Sequence, residues 1–246
     1  MENCLDFIDL DLVLAAVTTI VAGAVYGFAG FGSGYVLIPV FSLIFGVREA
    51  LASIAIMATL GGIGMMINSA RRAEWRQIGP LCFCALLTTP LGIVILLGVD
   101  PELMRRIIGA LVIVSAAALM MGLVYKGKRN MITSGVAGVL VGLAHGAVGL
   151  GGLTASLYIL SSQQPAIVQR ASIVVVSTIV STIAAIIWTI QGTVDTAVAA
   201  RSLILMIPFG ITVWCGMRVF NVTPGPLFRR IILLFVMTLG VITLFA

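Results

Sequence analysis

Two stretches of this chain, residues 12–47 and 130–169, contain no Asp, Glu, Lys or Arg, and both hold dense clusters of glycine. A charge-free apolar run of about 20 residues suffices to cross a bilayer as a helix. Each of these stretches is longer than one straight crossing. Six further charge-free intervals follow the same pattern: 50–70, 77–99, 107–125, 171–194, 202–217 and 231–246. Composition agrees, with 61% hydrophobic and 9% charged residues, where soluble domains carry about 25% charged. The residues predict an all-α polytopic membrane protein with eight hydrophobic segments, seated in a lipid bilayer.

The glycine clusters are related to each other. A shift of 119 residues places Gly23, Gly27, Gly30 and Gly32 on Gly142, Gly146, Gly149 and Gly151. Without a gap it carries Ala52, Ser53 and Ile54 onto Ala171, Ser172 and Ile173, and Thr59 onto Thr178. Pro90 and Gly92 find Pro208 and Gly210 after a one-residue slip, and Leu103–Ile107 (LMRRI) meets Leu227–Ile231 (LFRRI) after a few inserted residues. The chain therefore reads as two homologous four-segment halves, 1–125 and 131–246, joined by a polar linker at 126–130. The first segment of each half is broken at its glycine cluster. Repeats of this kind recur in secondary transporters, with the substrate near the midplane where broken helices meet.

Charge placement bears on direction. Basic groups fall at Arg71/Arg72/Arg76, Lys126/Lys128/Arg129 and Arg218/Arg229/Arg230, and short cytoplasmic loops carry the Lys/Arg excess. Eight single crossings put the third group outside. If the two broken segments re-enter, all three groups lie inside and the halves are inverted copies; both arrangements stay open from sequence. The net charge of +5 sits in these loops, so it sets topology and does not point to nucleic acid. No basic residue precedes the first hydrophobic run, so no cleaved signal peptide is expected.

The spacing of Gly23/Gly27 and Gly142/Gly146 suits close helix packing. The denser runs Gly30, Gly32 and Gly34, and Gly149, Gly151 and Gly152, weaken a helix and leave backbone N–H groups uncovered, which reads as a break with a binding role or as tight packing alone. A helix restarting after such a break points free N–H groups and the positive end of its dipole inward, which favours an anion. Ser33 and Thr154 add hydroxyls nearby. His145, the only histidine, is a substrate or proton contact, or a structural residue bonded across helices. Ser53/Ser172 and Thr59/Thr178 either bond their own helix or face a shared cavity. Arg170 either attracts an anion at a mouth or snorkels to headgroups, and Trp75, Trp188 and Trp214 read as interfacial belt residues. The candidate substrate-binding set is thus Gly30, Gly32, Ser33, Gly34, Ser53, His145, Gly149, Gly151, Gly152, Thr154 and Ser172. No carboxylate lies within any span, and no catalytic triad, metal-ligand cluster or cofactor motif is present, so neither an enzyme nor a cofactor is expected.

The motif Gly27-Phe-Ala-Gly-Phe-Gly-Ser-Gly-Tyr-Val-Leu-Ile-Pro39, with Gly142-Leu-Ala-His-Gly-Ala-Val-Gly-Leu-Gly-Gly152 opening the second half, resembles the TauE/SafE sulfite-exporter family over essentially the whole chain. The family's first motif falls on Gly27, Gly30, Gly32, Gly34 and Pro39, and its second on Gly142, Gly146, Gly149, Gly151 and Gly152. Ser33 interrupts what is often a longer glycine run, and Leu157-Tyr158 stands where a proline commonly follows the second. The resemblance implies a multi-pass protein of a bacterial inner membrane that moves sulfite, sulfoacetate or a related sulfonate or organic anion. A channel-like anion conductor and a membrane scaffold or accessory subunit are the other readings. A proton or other coupling ion and a homo-oligomer stay open as partners.

Overall fold

The computed structural model describes residues 10–121, 125 and 127–222. Nine helices occupy them: α1 Leu10–Ala29, α2 Ser33–Phe45, α3 Val47–Ser69, α4 Trp75–Gly98, α5 Pro101–Met120, α6 Met131–Val148, α7 Gly151–Ile159, α8 Ala166–Ile190 and α9 Thr196–Val222. Six of these, α1, α3, α4, α6, α8 and α9, are long and apolar enough to cross a membrane. The fold is all-α and polytopic. The interval 12–47 resolves into α1 and α2, and 130–169 into α6, α7 and the start of α8; the interval 231–246 lies outside the described residues.

Local chemistry sets the ends of these helices. Asn130 caps α6 by accepting from the Thr133 N–H at 2.8 Å while the Thr133 hydroxyl accepts from the Asn130 N–H at 2.9 Å, a reciprocal box that satisfies two orphan donors. Asp100 Oδ1 accepts from the N–H groups of Glu102 and Leu103 ahead of α5, whose first residue is Pro101. Gly46, with φ 80°, makes the one-residue corner between α2 and α3.

Glycine faces then fix which helices touch. A Cβ at Gly23 would overlap Thr212 Oγ1, and one at Gly27 would overlap the backbone of Val213. Gly138, Gly142 and Gly146 meet Leu81, then Ala85 and Thr88, then Thr89 and Ile93 in the same way. Close backbone approach of this kind is how helices associate without a hydrophobic driving force. The order of these contacts shows that α1 runs parallel to α9, and α6 parallel to α4. Two central helices, α3 and α8, run antiparallel: the Glu74 N–H after α3 donates to Ser172 Oγ at 3.2 Å, while Gly62 faces Thr178 further into both.

Each glycine break reverses the chain. Tyr158 near the end of α7 bonds back to Ser134 at 2.8 Å and Thr133 at 3.2 Å in the first turn of α6. Arg129 closes the base of this hairpin, donating to Tyr158 O and Ser161 Oγ with its guanidinium over the Tyr158 ring at 5.1 Å. Burial holds that guanidinium below its ordinary value, and the Tyr158 and Glu74 side chains oppose the shift. The tip of the first hairpin lies level with the middle of α3, where Tyr26 Oη sits 3.4 Å from Ala58 O. Gly152 at the tip of the second lies beside Ser177 in the middle of α8. These directions gather Arg71, Arg72, Arg76, Lys128, Arg129 and Arg218 on one face of the bundle. Glu49, Asp100, Glu102 and Asp195 lie on the other, together with Arg48, Arg106 and Arg201.

Candidate functional site

The first break leaves α1 through Gly30 and Gly32, with φ of 82° and 99°, and the second leaves α6 through Gly149, with φ of 70°. These left-handed values are open to glycine and costly for residues with a Cβ. Crowding adds a second reason: a Cβ at Gly149 would lie 2.8 Å from Ile38 Cδ1, and one at Gly34 would lie 3.1 Å from Gly149 O. The two breaks thus touch, and the helices that restart there, α2 and α7, begin at the same place from opposite hairpins.

Between them lies a cavity of about 40 Å³. Hairpin one contributes Tyr26, Phe31, Gly32, Ser33 and Gly34; hairpin two contributes His145, Gly149 and Gly152. The central helices complete it, α3 with Leu51, Ile54, Ala55 and Ala58, and α8 with Ser177, Ser181, Ala184 and Trp188. The first N–H groups of a helix have no partner within it, so α2 and α7 both present donors and a positive dipole end here. Two buried side-chain atoms in the wall also lack a protein partner: Ser177 Oγ and His145 Nδ1. The other imidazole nitrogen, Nε2, lies 3.4 Å from Ser181 Oγ. No Asp or Glu lines the cavity.

Of the eleven candidates, Gly32, Ser33, Gly34, His145, Gly149 and Gly152 line this cavity. Gly30 stands behind it against Val174 and Arg170, and Gly151 is packed on His145, where a Cβ would lie 2.5 Å from that of the histidine. Ser53, Thr154 and Ser172 do not line it. Ser53 is fully buried in α3, and Ser172 is taken up by the Glu74 N–H near the basic face. Thr59 and Thr178 bond the carbonyls of Ala55 and Val174 one turn back.

Two expectations are corrected. Arg170 neither snorkels nor stands at a mouth: it donates to the carbonyls of Phe28, at 2.9 Å, and Gly27, capping the last turn of α1. Trp188 is 1% exposed and walls the cavity, unlike Trp75 and Trp214, which are about half exposed. Tyr26 carried a signal in the sequence, since the 119-residue shift places it on His145.

The family model for "Sulfite exporter TauE/SafE" matches residues 15–243, spanning both breaks and every helix that forms the cavity. The chain belongs to the TauE/SafE family. It is a multi-pass inner-membrane transport protein and not an enzyme. No curated protein and no solved structure matches it. Among the described residues no cluster of His, Cys, Asp or Glu is disposed to hold a metal. What this TauE/SafE site offers a ligand is therefore hydrogen-bond donors and positive dipole ends, with aromatic and small apolar walls.

Proposed function

We propose that the protein is a secondary transporter for a small anion, sulfite, sulfoacetate or a related sulfonate, and that the anion binds between the two glycine breaks. The observation that carries this reading is the convergence of two helix N-termini on one cavity whose wall holds unpartnered Ser177 and His145 atoms and no carboxylate. Such termini are ready-made anion sites. A volume of about 40 Å³ suits a few non-hydrogen atoms, the size of a sulfur oxyanion. His145 is the only imidazole in the chain and faces the same cavity, which makes it the residue to carry a coupling proton.

The reading includes two inverted halves, 1–125 and 131–246, around the 126–130 linker. Three observations support it. First, each helix runs opposite to its counterpart in the other half, α1 to α6, α3 to α8 and α4 to α9. Second, the packing exchanges between halves, α1 lying on α9 as α6 lies on α4. Third, Thr88 and Gly92 oppose Gly142 and Gly146 as Thr212 and Gly216 oppose Gly23 and Gly27. That last relation is a shift of 124 residues, the register of the two LxRRI motifs and not that of the Pro-x-Gly pairs. The basic face is then cytoplasmic, and outward movement of an anion is favoured in a cell negative inside.

Purified protein in proteoliposomes should show saturable sulfite or sulfoacetate flux, accelerated by anion on the opposite side. Gly32→Leu and Gly151→Leu should abolish it while protein remains in the membrane. Unchanged flux in either variant would sink the site. The small size of the cavity favours a carrier over a channel, and non-saturating flux without counterflow would reverse that preference.

A further inference from the structure

The cavity is not centred on the relation between the halves. Under the 119-residue shift only Ala58 and Ser177 of its central-helix lining are equivalent to each other. Leu51, Ile54 and Ala55 on α3, with Ser181, Ala184 and Trp188 on α8, lie toward the acidic face. Their equivalents in the other half are Arg170, Ile173 and Val174 on α8, with Gly62, Met65 and Ser69 on α3. Those residues lie toward the basic face and are packed shut: Ile173, Val174 and Met65 are buried, and Arg170 is drawn onto the carbonyls of Gly27 and Phe28. Leu51 and Arg170 hold matching places. A Cβ at Gly149 would lie 2.9 Å from Leu51 Cδ2, and one at the equivalent Gly30 would lie 3.4 Å from Arg170 Cγ.

We propose that the protein has a second anion-binding state, in which the two halves exchange their present packing and the cavity opens on the basic face. Arg170 there takes the position that Leu51 holds now and contacts the anion. The inference rests on the anion-carrier reading above. Inverted halves around one site have two states related by exchange of their conformations, so a chemical difference at equivalent positions becomes a difference between the two faces. Leu51 offers an anion nothing, whereas the Arg170 guanidinium is a charged, forked donor suited to an oxyanion. The two states therefore differ in affinity, with the tighter one loaded from the basic side. Between turns of transport the guanidinium is not left bare, because the α1 carbonyls hold it.

Sided membrane vesicles test this. Half-saturation for labelled sulfite is measured in inside-out vesicles, which present the basic face, and in right-side-out vesicles. Arg170→Leu, which makes the two positions alike, should raise half-saturation about tenfold or more in inside-out vesicles and by less than about twofold in right-side-out ones. Arg170→Lys should keep most of the parent's sidedness. If Arg170→Leu is not assembled, Leu51→Arg carries the test: half-saturation should fall at least about threefold in right-side-out vesicles only. Equal changes on both faces, or a Leu51→Arg variant whose two faces both behave as the parent, would overturn the proposal and leave Arg170 as a cap of α1. A parent protein with no saturable sulfite flux from either face would instead refute the anion-carrier reading itself.

Discussion

Ser177→Ala should stabilise the empty protein while weakening its hold on an anion. Ser177 is 5% exposed, and its hydroxyl oxygen has no protein partner. A buried polar group left in that condition costs about 1–3 kcal/mol, whereas a hydrogen bond to a charged group contributes about 1.5–3 kcal/mol. Removing the hydroxyl takes away the first term in the empty state and the second in the loaded state. Alanine also fits the site, because Ala58 occupies the equivalent position on α3 and lines the same cavity. The melting temperature without anion should rise by about 2–4 °C for each kcal/mol recovered. Sulfite affinity should fall by the two terms together, about 2.5–6 kcal/mol or roughly 60-fold and more, by the usual conversion of 1.4 kcal/mol per factor of ten. Scanning fluorimetry of the detergent-solubilised protein across a sulfite titration reads both quantities at once, since bound ligand stabilises in proportion to its affinity. A variant that melts lower than the parent and binds sulfite equally well would refute the reasoning, by showing that Ser177 is a packing residue with a satisfied hydroxyl.

Three further outcomes follow from the packing. Gly27→Ala and Gly146→Ala should each destabilise by about 2–3 kcal/mol, since the new methyl meets backbone that cannot rotate away. Gly64→Ala has nothing within 4 Å of its Cβ, so its melting temperature should hold or rise slightly with helix propensity. Tyr158→Phe strips the bonds to Ser134 and Thr133 and should cost about 1–2 kcal/mol in thermal unfolding. In a cysteine-free background, Arg72→Cys should react with an impermeant thiol reagent only in inside-out vesicles, and Asp195→Cys only in right-side-out ones; the reverse pattern would invert the orientation.

Much of this arrangement was legible in the residues. Charge-free intervals marked the helices, and the 119-residue register brought the breaks to equivalent places, so their meeting at Gly34 and Gly149 followed from pattern alone. The contribution of α8 did not. Buried residues surround that helix on nearly every side, and a helix apolar all round has no stripe from which to read its inward face. Ser177 and Ser181 are therefore indistinguishable from Ser172 in the sequence, although only about one and a half turns separate a cavity wall from a bond to Glu74. Repeat equivalence alone does not place a side chain in the cavity: Ser53 and Ser172 are equivalent, and neither lines it. From sequence Arg170 reads against water and lipid, whereas its partners are carbonyls in the last turn of α1, which no local pattern records.

The packing of α1 on α9 also has a temporal side. The glycine face of α1 is covered by α9, which follows it by roughly 190 residues; at translation rates of about 5–20 residues per second that is a wait on the order of 10–40 s. The later pair, α4 and α6, is complete much sooner. Until α9 arrives, the close-packing surface of α1 faces lipid or a surrogate helix. A ribosome pausing before Thr196 would prolong the interval in which the protein is half assembled.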